Sequence, residues 1–204
     1  MKLISIFNLL REGSIKDFNF SYFISDKFIV PFIKGEITSD NYVLIDSFND
    51  DFNLNLNETN ILSHPKFKQY AINWIKDRIN EFRFETKNLI NPTTGVIKIY
   101  RGMSVNENWL HHLQTQGKRL GIYWSWTPNG AIQYGGDYEG DFAVIECEID
   151  EKYVDWENTI FQNIVLETER EITLLKNTPI KLLSIEINDE MVDISSLKNK
   201  TFTS

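Results

Sequence analysis

Cysteine is nearly missing from this chain. Its 204 residues include one, Cys147, so no internal disulfide framework can form. Histidine is scarce as well: His64, His111 and His112 are all there are, too few beside a single thiol for the usual Cys/His zinc sets, and no metal is expected. Basic residues are outnumbered, 21 Lys and Arg against 29 Asp and Glu, for a formal charge of −8. That deficit argues against nucleic acid or an anionic membrane as a charge-driven partner, since both call for concentrated Lys and Arg. Long apolar runs are missing too; none approaches the ~18 residues of a membrane span. Lys2 followed by Leu3 to Leu10 imitates a signal peptide, but Arg11 and Glu12 stop it and no small-residue cleavage site follows. A short amphipathic helix is the better reading, and the expected location is the cytoplasm. What is present is ordinary for a folded protein: 42% apolar and 25% charged residues, enough for one domain with a core and too apolar for disorder.

The chain divides near residue 95. Before it, Phe, Ile and Asn are frequent and Gly is rare. The Asn/Asp-rich stretch from Asn49 to Asn60 reads as a surface loop, because short polar side chains favour turns. Ser63 reads as an N-cap with Pro65 in the first turn. Phe67, Tyr70, Ala71, Trp74, Ile75, Ile79 and Phe82 recur at three- and four-residue steps, which predicts a helix over 64–86. Asn91-Pro92 and Gly95 end that pattern. Val96 to Tyr100 is β-branched and predicts a strand running into Arg101-Gly102. Ser104 and Glu107 match a capping box for a helix that carries Trp109, Leu110 and Leu113 and stops at Gly117. Further strands are expected over 121–126, 142–149, 165–175 and 180–187, with a helical turn at 128–134 and a loop at Gly135-Gly136. The expected class is α+β in a single domain: a mainly helical part (1–95), a β-rich core (96–188) and a tail (189–204).

Three places can carry chemistry. Arg101 follows a strand and precedes Gly102; a guanidinium there can clamp a phosphate, and glycine lets a ligand approach the backbone. A surface arginine at a turn is the plainer alternative. In Tyr123-Trp124-Ser125-Trp126-Thr127, the Ser125 and Thr127 hydroxyls fall on one face of an extended segment. They suit a ribose between aromatic rings, or belong to a strand with core tryptophans. In Glu167-Thr168-Glu169-Arg170-Glu171, Glu169 and Glu171 share a strand face about 7 Å apart. They repel unless the face is wet or holds a cation; a charged, exposed edge strand is the alternative. Cys147 reads as a small buried hydrophobe.

Taken in order, strand-Arg101-Gly102, then Ser125-x-Thr127, then Glu169-x-Glu171 resembles the mono-ADP-ribosyltransferase family of the Arg-Ser-Glu type. The run from Glu171 to Glu186 is especially similar to that family's catalytic-glutamate strand, polar turn and final strand. The resemblance covers about residues 96–188. It implies a split β-sandwich, two packed mixed or antiparallel sheets with N-terminal helices, and NAD as co-substrate with no metal. Carried over by position, Arg101 would hold the NAD diphosphate and nicotinamide ribose, and Gly102 would meet the nicotinamide carboxamide. Ser125, with Thr127, would support the ribose and orient the acid residue. Glu171 would contact the ribose 2′-hydroxyl and Glu169 would steer the nucleophile. Tyr134 or Tyr138 would stack on nicotinamide, and Phe161 would lie in a loop that meets the acceptor. The chain departs from the pattern in having Trp126 between the two hydroxyls and no arginine between Arg119 and Arg170, where many relatives bind phosphate; Lys118 and Arg119 are the nearest substitutes.

The chemistry fits those residue types, because breaking the ribose–nicotinamide bond leaves positive charge on the sugar that a carboxylate can stabilise. The Glu-x-Glu form of the motif implies a protein arginine as acceptor, and the acid excess suits a basic partner. A phage or bacterial effector or toxin is consistent with such a chain. The alternatives are an NAD glycohydrolase with water as acceptor, and a non-enzymatic acidic interaction or virion protein.

Overall fold

The computed structural model describes residues 42–116, 119–135, 140–165, 170–197 and 200–204. The N-terminal amphipathic segment at 3–10 lies outside them. Helices α1 (Tyr42–Phe52), α2 (Glu58–Ile61) and α3 (Phe67–Thr86) come first. They are followed by β1 (Val96–Val105), α4 (Trp109–Gln116), β2 (Tyr123–Ser125), α5 (Pro128–Gly135), β3 (Asp141–Asp150), α6 (Trp156–Val165), β4 (Glu171–Thr173), β5 (Pro179–Ile187), β6 (Glu190–Met191) and β7 (Phe202–Thr203). The class is α+β. The strands hydrogen-bond in one antiparallel path, β4-β2-β1-β3-β5-β6, with β7 joined to β5.

Alternation along β1 and β3 produces two unlike faces. Ile97 and Ile99 stand beside Ile149 and Cys147 on one face, all buried. Across β2 and β4 that apolar face continues through the paired Trp124 and Ile172. Helices α3 (Ile75, Ile79, Phe82), α4 (Leu113) and α6 (Trp156, Ile160) complete this core. The other face is polar where β1, β3 and β5 meet. There Lys98 is 2.9 Å from Glu146 and Lys181 is 2.8 Å from Glu148, exposed cross-strand pairs that fix register more than they stabilise.

A smaller cluster of Leu44, Ile45, Phe48, Ile61, Phe67 and Ala71 joins the first three helices, and Trp74 packs against both clusters. Helix α3 is therefore shared: its first half closes the helical cluster and its second half roofs the sheet. The tail comes back to the sheet, with Leu197, Phe202 and Ser204 buried.

Several local expectations change. Of the expected loop from Asn49 to Asn60, residues 49–52 are the end of α1 and 58–60 belong to α2; the Phe48 ring stacks on Phe52, Phe67 and Tyr70, and the Asn49 amide binds both backbone groups of Leu56. Ser63 and Pro65 lie in turns, and α3 begins at Phe67. Ser104 is a strand residue opposite Phe142, not a cap. The ladder with β3 carries β1 on to Val105, and the Asn106 side chain accepts from the Asn108 N–H before α4. Residue 165, expected in a strand, ends α6.

Candidate active-site cleft

Register brings the singled-out residues together. Glu171 of β4 pairs with Ser125 of β2, and Ser125 pairs with Tyr100 of β1. Tyr100 pairs with Glu146 of β3, and Glu146 with Ser184 of β5. Directly paired residues share a face, so these five side chains form one polar row across five strands, spaced by about 4.8 Å per strand. At the β4 end of the row lies a cleft of about 420 Å³, walled by Tyr100, Arg101, Gly102, Tyr123, Ser125 and Glu171 among others. Its size falls in the range of small-molecule sites.

Glu171 is 6% exposed, an unusual setting for a carboxylate. The Thr173 hydroxyl donates to its Oε1 at 3.1 Å. Its backbone is held from the free edge of β4 by helix α6. The Asn163 amide donates to the Glu171 carbonyl at 2.7 Å and accepts from the Glu171 N–H at 3.1 Å. Thr159 Oγ1, one helical turn earlier, accepts from the Thr173 N–H at 3.0 Å. Two α6 side chains thus replace the missing neighbour strand. Although β4 is an edge, its residues Glu171, Ile172 and Thr173 are all buried, whereas Arg170 just before it is exposed.

Ser125 is 2% exposed, and its Oγ accepts from the Thr127 N–H at 3.1 Å. Thr127 does not continue the strand. It caps α5, its hydroxyl accepting from the Gly130 N–H at 3.1 Å, with Pro128 at the first helical position where no N–H is needed. Thr127 consequently leaves the Glu171 cleft and lines a neighbouring cavity.

Arg101 borders the cleft from the apolar side of β1. Its guanidinium lies 6.0 Å from the centre of the Trp124 ring and Nη1 donates to the Tyr123 carbonyl at 3.2 Å. Burial pulls its pKa below the ordinary guanidinium value, yet the group stays cationic at physiological pH. Gly121 makes this seat possible: it sits at φ +89°, and a Cβ there would fall 2.1 Å from Arg101 Nη1. Gly102 lines the cleft, and its missing side chain also lets a helix come close. A Cβ on it would meet the Ala131 carbonyl at 2.0 Å, so what comes close to this backbone is helix α5.

Tyr100 and Tyr123 are aromatic walls; Tyr123 belongs to the aromatic run named from sequence, while Tyr100 left no signal there, because its place beside Ser125 comes from strand register. Burial and then the neighbouring Glu146 carboxylate push the Tyr100 hydroxyl pKa up. Asn163, Thr159 and Thr173 left no signal, because their roles depend on how α6 meets β4. Phe161 is a helical residue of α6, half-buried against the core, not a loop residue. Tyr134 belongs to α5, while Tyr138, Glu169, Glu167 and Lys118 lie outside the described residues. Arg119 is engaged elsewhere, donating to Asn177 Oδ1 at 3.2 Å and bridging to Thr203.

Among the described residues no three His, Cys, Asp or Glu side chains are grouped to hold a metal ion, and no helix is long and apolar enough to cross a membrane. Compared with protein-family models, with curated proteins and with solved structures, the chain matches none.

Proposed function

We propose that the chain is an NAD-dependent mono-ADP-ribosyltransferase that moves ADP-ribose to a protein arginine and releases nicotinamide. The observation that carries this reading is the convergence of Arg101, Ser125 and Glu171, from three neighbouring strands, on one cleft. For the finer fold, a split β-sandwich, we place the division between β1 and β2, which are joined only at Tyr100 and Ser125, while β1 and β3 pair along their whole length.

The residues suit the substrate. A cleft of about 420 Å³ with Tyr100, Tyr123 and Trp124 in its walls takes a flat ring and a ribose. The Glu171 carboxylate, set by Thr173 and Asn163, stabilises positive charge developing at the sugar. It does so in a dry setting where fixed charges act strongly. Ser125 offers a hydroxyl one strand away. Arg101 supplies fixed positive charge at the rim for a diphosphate and braces the Tyr123–Ser125 strand through its bond to the Tyr123 carbonyl. Glu169 is assigned to the incoming nucleophile on the resemblance alone.

The test is NAD labelled on the adenylate, incubated with the protein and cell lysate, with nicotinamide release followed in parallel. Labelled acceptor protein that disappears in Glu171→Gln and Arg101→Ala is the expected result. Nicotinamide release with no labelled protein would make the enzyme a glycohydrolase. Labelling that survives both substitutions, or no NAD binding by calorimetry, would end the proposal.

A further inference from the structure

A second cavity of about 410 Å³ lies between the second half of α3, the start of α5 and the end of α6. Two of its wall residues hydrogen-bond to residues of the Glu171 cleft. Asn163, in its wall, binds both backbone groups of Glu171, and Thr127, also in its wall, donates its N–H to Ser125 Oγ. Trp126 forms one side, held edge-on by Phe82 at 5.8 Å. Helix α3 contributes Glu81 and Glu85, one turn apart on the same face.

The chain already places a guanidinium here. Arg170 Nε lies 3.5 Å from Glu85 Oε2, with side chains 49% and 34% exposed. Arg170 also holds a left-handed backbone, φ +45°, which costs energy for any residue but glycine and, less so, asparagine. An exposed ion pair contributes little stability, so this contact opens readily. Glu81 is paired with Arg78 at 3.6 Å. Once Arg170 swings out, the cavity wall presents two carboxylates to one arginine beside the Trp126 indole, which favours a planar cation. An anion is less well served: the α5 N-terminus that borders the cavity has its Gly130 N–H taken by Thr127.

Resting on the transferase reading above, we infer that this cavity is the acceptor subsite, that it takes an alkylguanidinium, and that Arg170 is an internal stand-in which the acceptor displaces from Glu85. From there a guanidino nitrogen adjoins the ribose C1′ held at Glu171. Its lone pair forms the new N–C1′ bond as the bond from C1′ to nicotinamide breaks. That electron pair returns to the pyridine ring, and one guanidinium proton passes to water.

Agmatine, a bare alkylguanidine, is the probe, with nicotinamide release as the readout and KM measured for agmatine and for NAD. The variants are Glu85→Gln, which keeps side-chain length, and Arg170→Gln, which shortens it and removes the charge, with thermal melting checked for each. Glu85→Gln is expected to raise the agmatine KM about three- to tenfold. Arg170→Gln, by removing the competitor, is expected to lower it by up to about fivefold, the scale of an exposed ion pair. Shifts of the same sign, or shifts that appear in the NAD KM instead, would overturn the assignment. Nicotinamide release by the unaltered protein that agmatine does not stimulate would also overturn it, while leaving NAD cleavage in place. No nicotinamide release at all would remove the transferase reading itself.

Discussion

Gly121→Ala tests whether Arg101 is locked in its seat by the missing side chain. At φ +89° an alanine is strained, by about 1–2 kcal/mol for a left-handed residue. Its Cβ would also lie 2.1 Å from Arg101 Nη1, about 1.3 Å inside ordinary contact. Relief requires the guanidinium to withdraw by roughly that distance, which stretches the 3.2 Å bond to the Tyr123 carbonyl past any useful length. A hydrogen bond from a charged group contributes about 1.5–3 kcal/mol, and partial exposure places this one at the low end. The expected cost is therefore ~3 kcal/mol, a melting shift of about 6–12 °C for a chain of this size. The two contributions separate in a double-mutant cycle. In an Arg101→Ala background the collision and the bond are both absent, so Gly121→Ala should cost only the backbone strain, about 1–2 kcal/mol. Urea unfolding of the four proteins measures this directly. Equal costs in the two backgrounds would refute the link between Gly121 and Arg101.

Asn163→Ala should lose about 2–6 kcal/mol, since it strips partners from two backbone groups of Glu171, at about 1–3 kcal/mol for each buried group left unpaired; urea unfolding checks it, and nicotinamide release should fall by more than the fold loss explains. Gly102→Ala should displace α5, because its Cβ meets the backbone of Ala131 and neither side can yield locally; a near-native melting temperature would contradict this. Cys147 is fully buried, and burial followed by the Glu146 charge pushes its thiol pKa up, so alkylation at pH 8 should fail on the native protein and give one adduct after unfolding. The Lys152 ammonium bond holds the Asp150 carboxyl below its ordinary pKa. A depressed carboxyl contributes stability above its unfolded value and loses it as pH falls through its native one. Lys152→Gln should consequently weaken the fold at pH 7 and make no difference near pH 2, as read by urea titration.

Periodicity was readable where one physical demand dominated. The apolar steps from Phe67 to Phe82 are a helix face, and Ile97, Ile99, Ile145, Cys147 and Ile149 alternate as strand residues buried on one side. It failed where a distant partner outweighed a local preference. Asn49 is helical because aromatic rings from α3 stack on Phe48, and Ser104 stays extended because β3 offers it a ladder. The chemistry-bearing residues were legible as an order along the chain. Their relative placement was not: Arg101 lies on the Trp124 side of β1, and Thr127 turns away from Ser125 to cap a helix.

The amino-acid sequence alone determined the limits of this protein's chemistry. One thiol and three imidazoles leave little for disulfides or zinc, and the acid excess disfavours polyanions. The run ending at Glu171 marks where a carboxylate can act. Only the tertiary structure decided that Glu171 is buried rather than exposed, because its burial depends on Asn163 and Thr159 covering the open edge of β4. It also decided that Tyr100 and Ser125 stand beside Glu171, and that Arg170 meets Glu85. These are contacts between residues far apart along the chain, selected by strand register and helix packing, to which local propensity is blind.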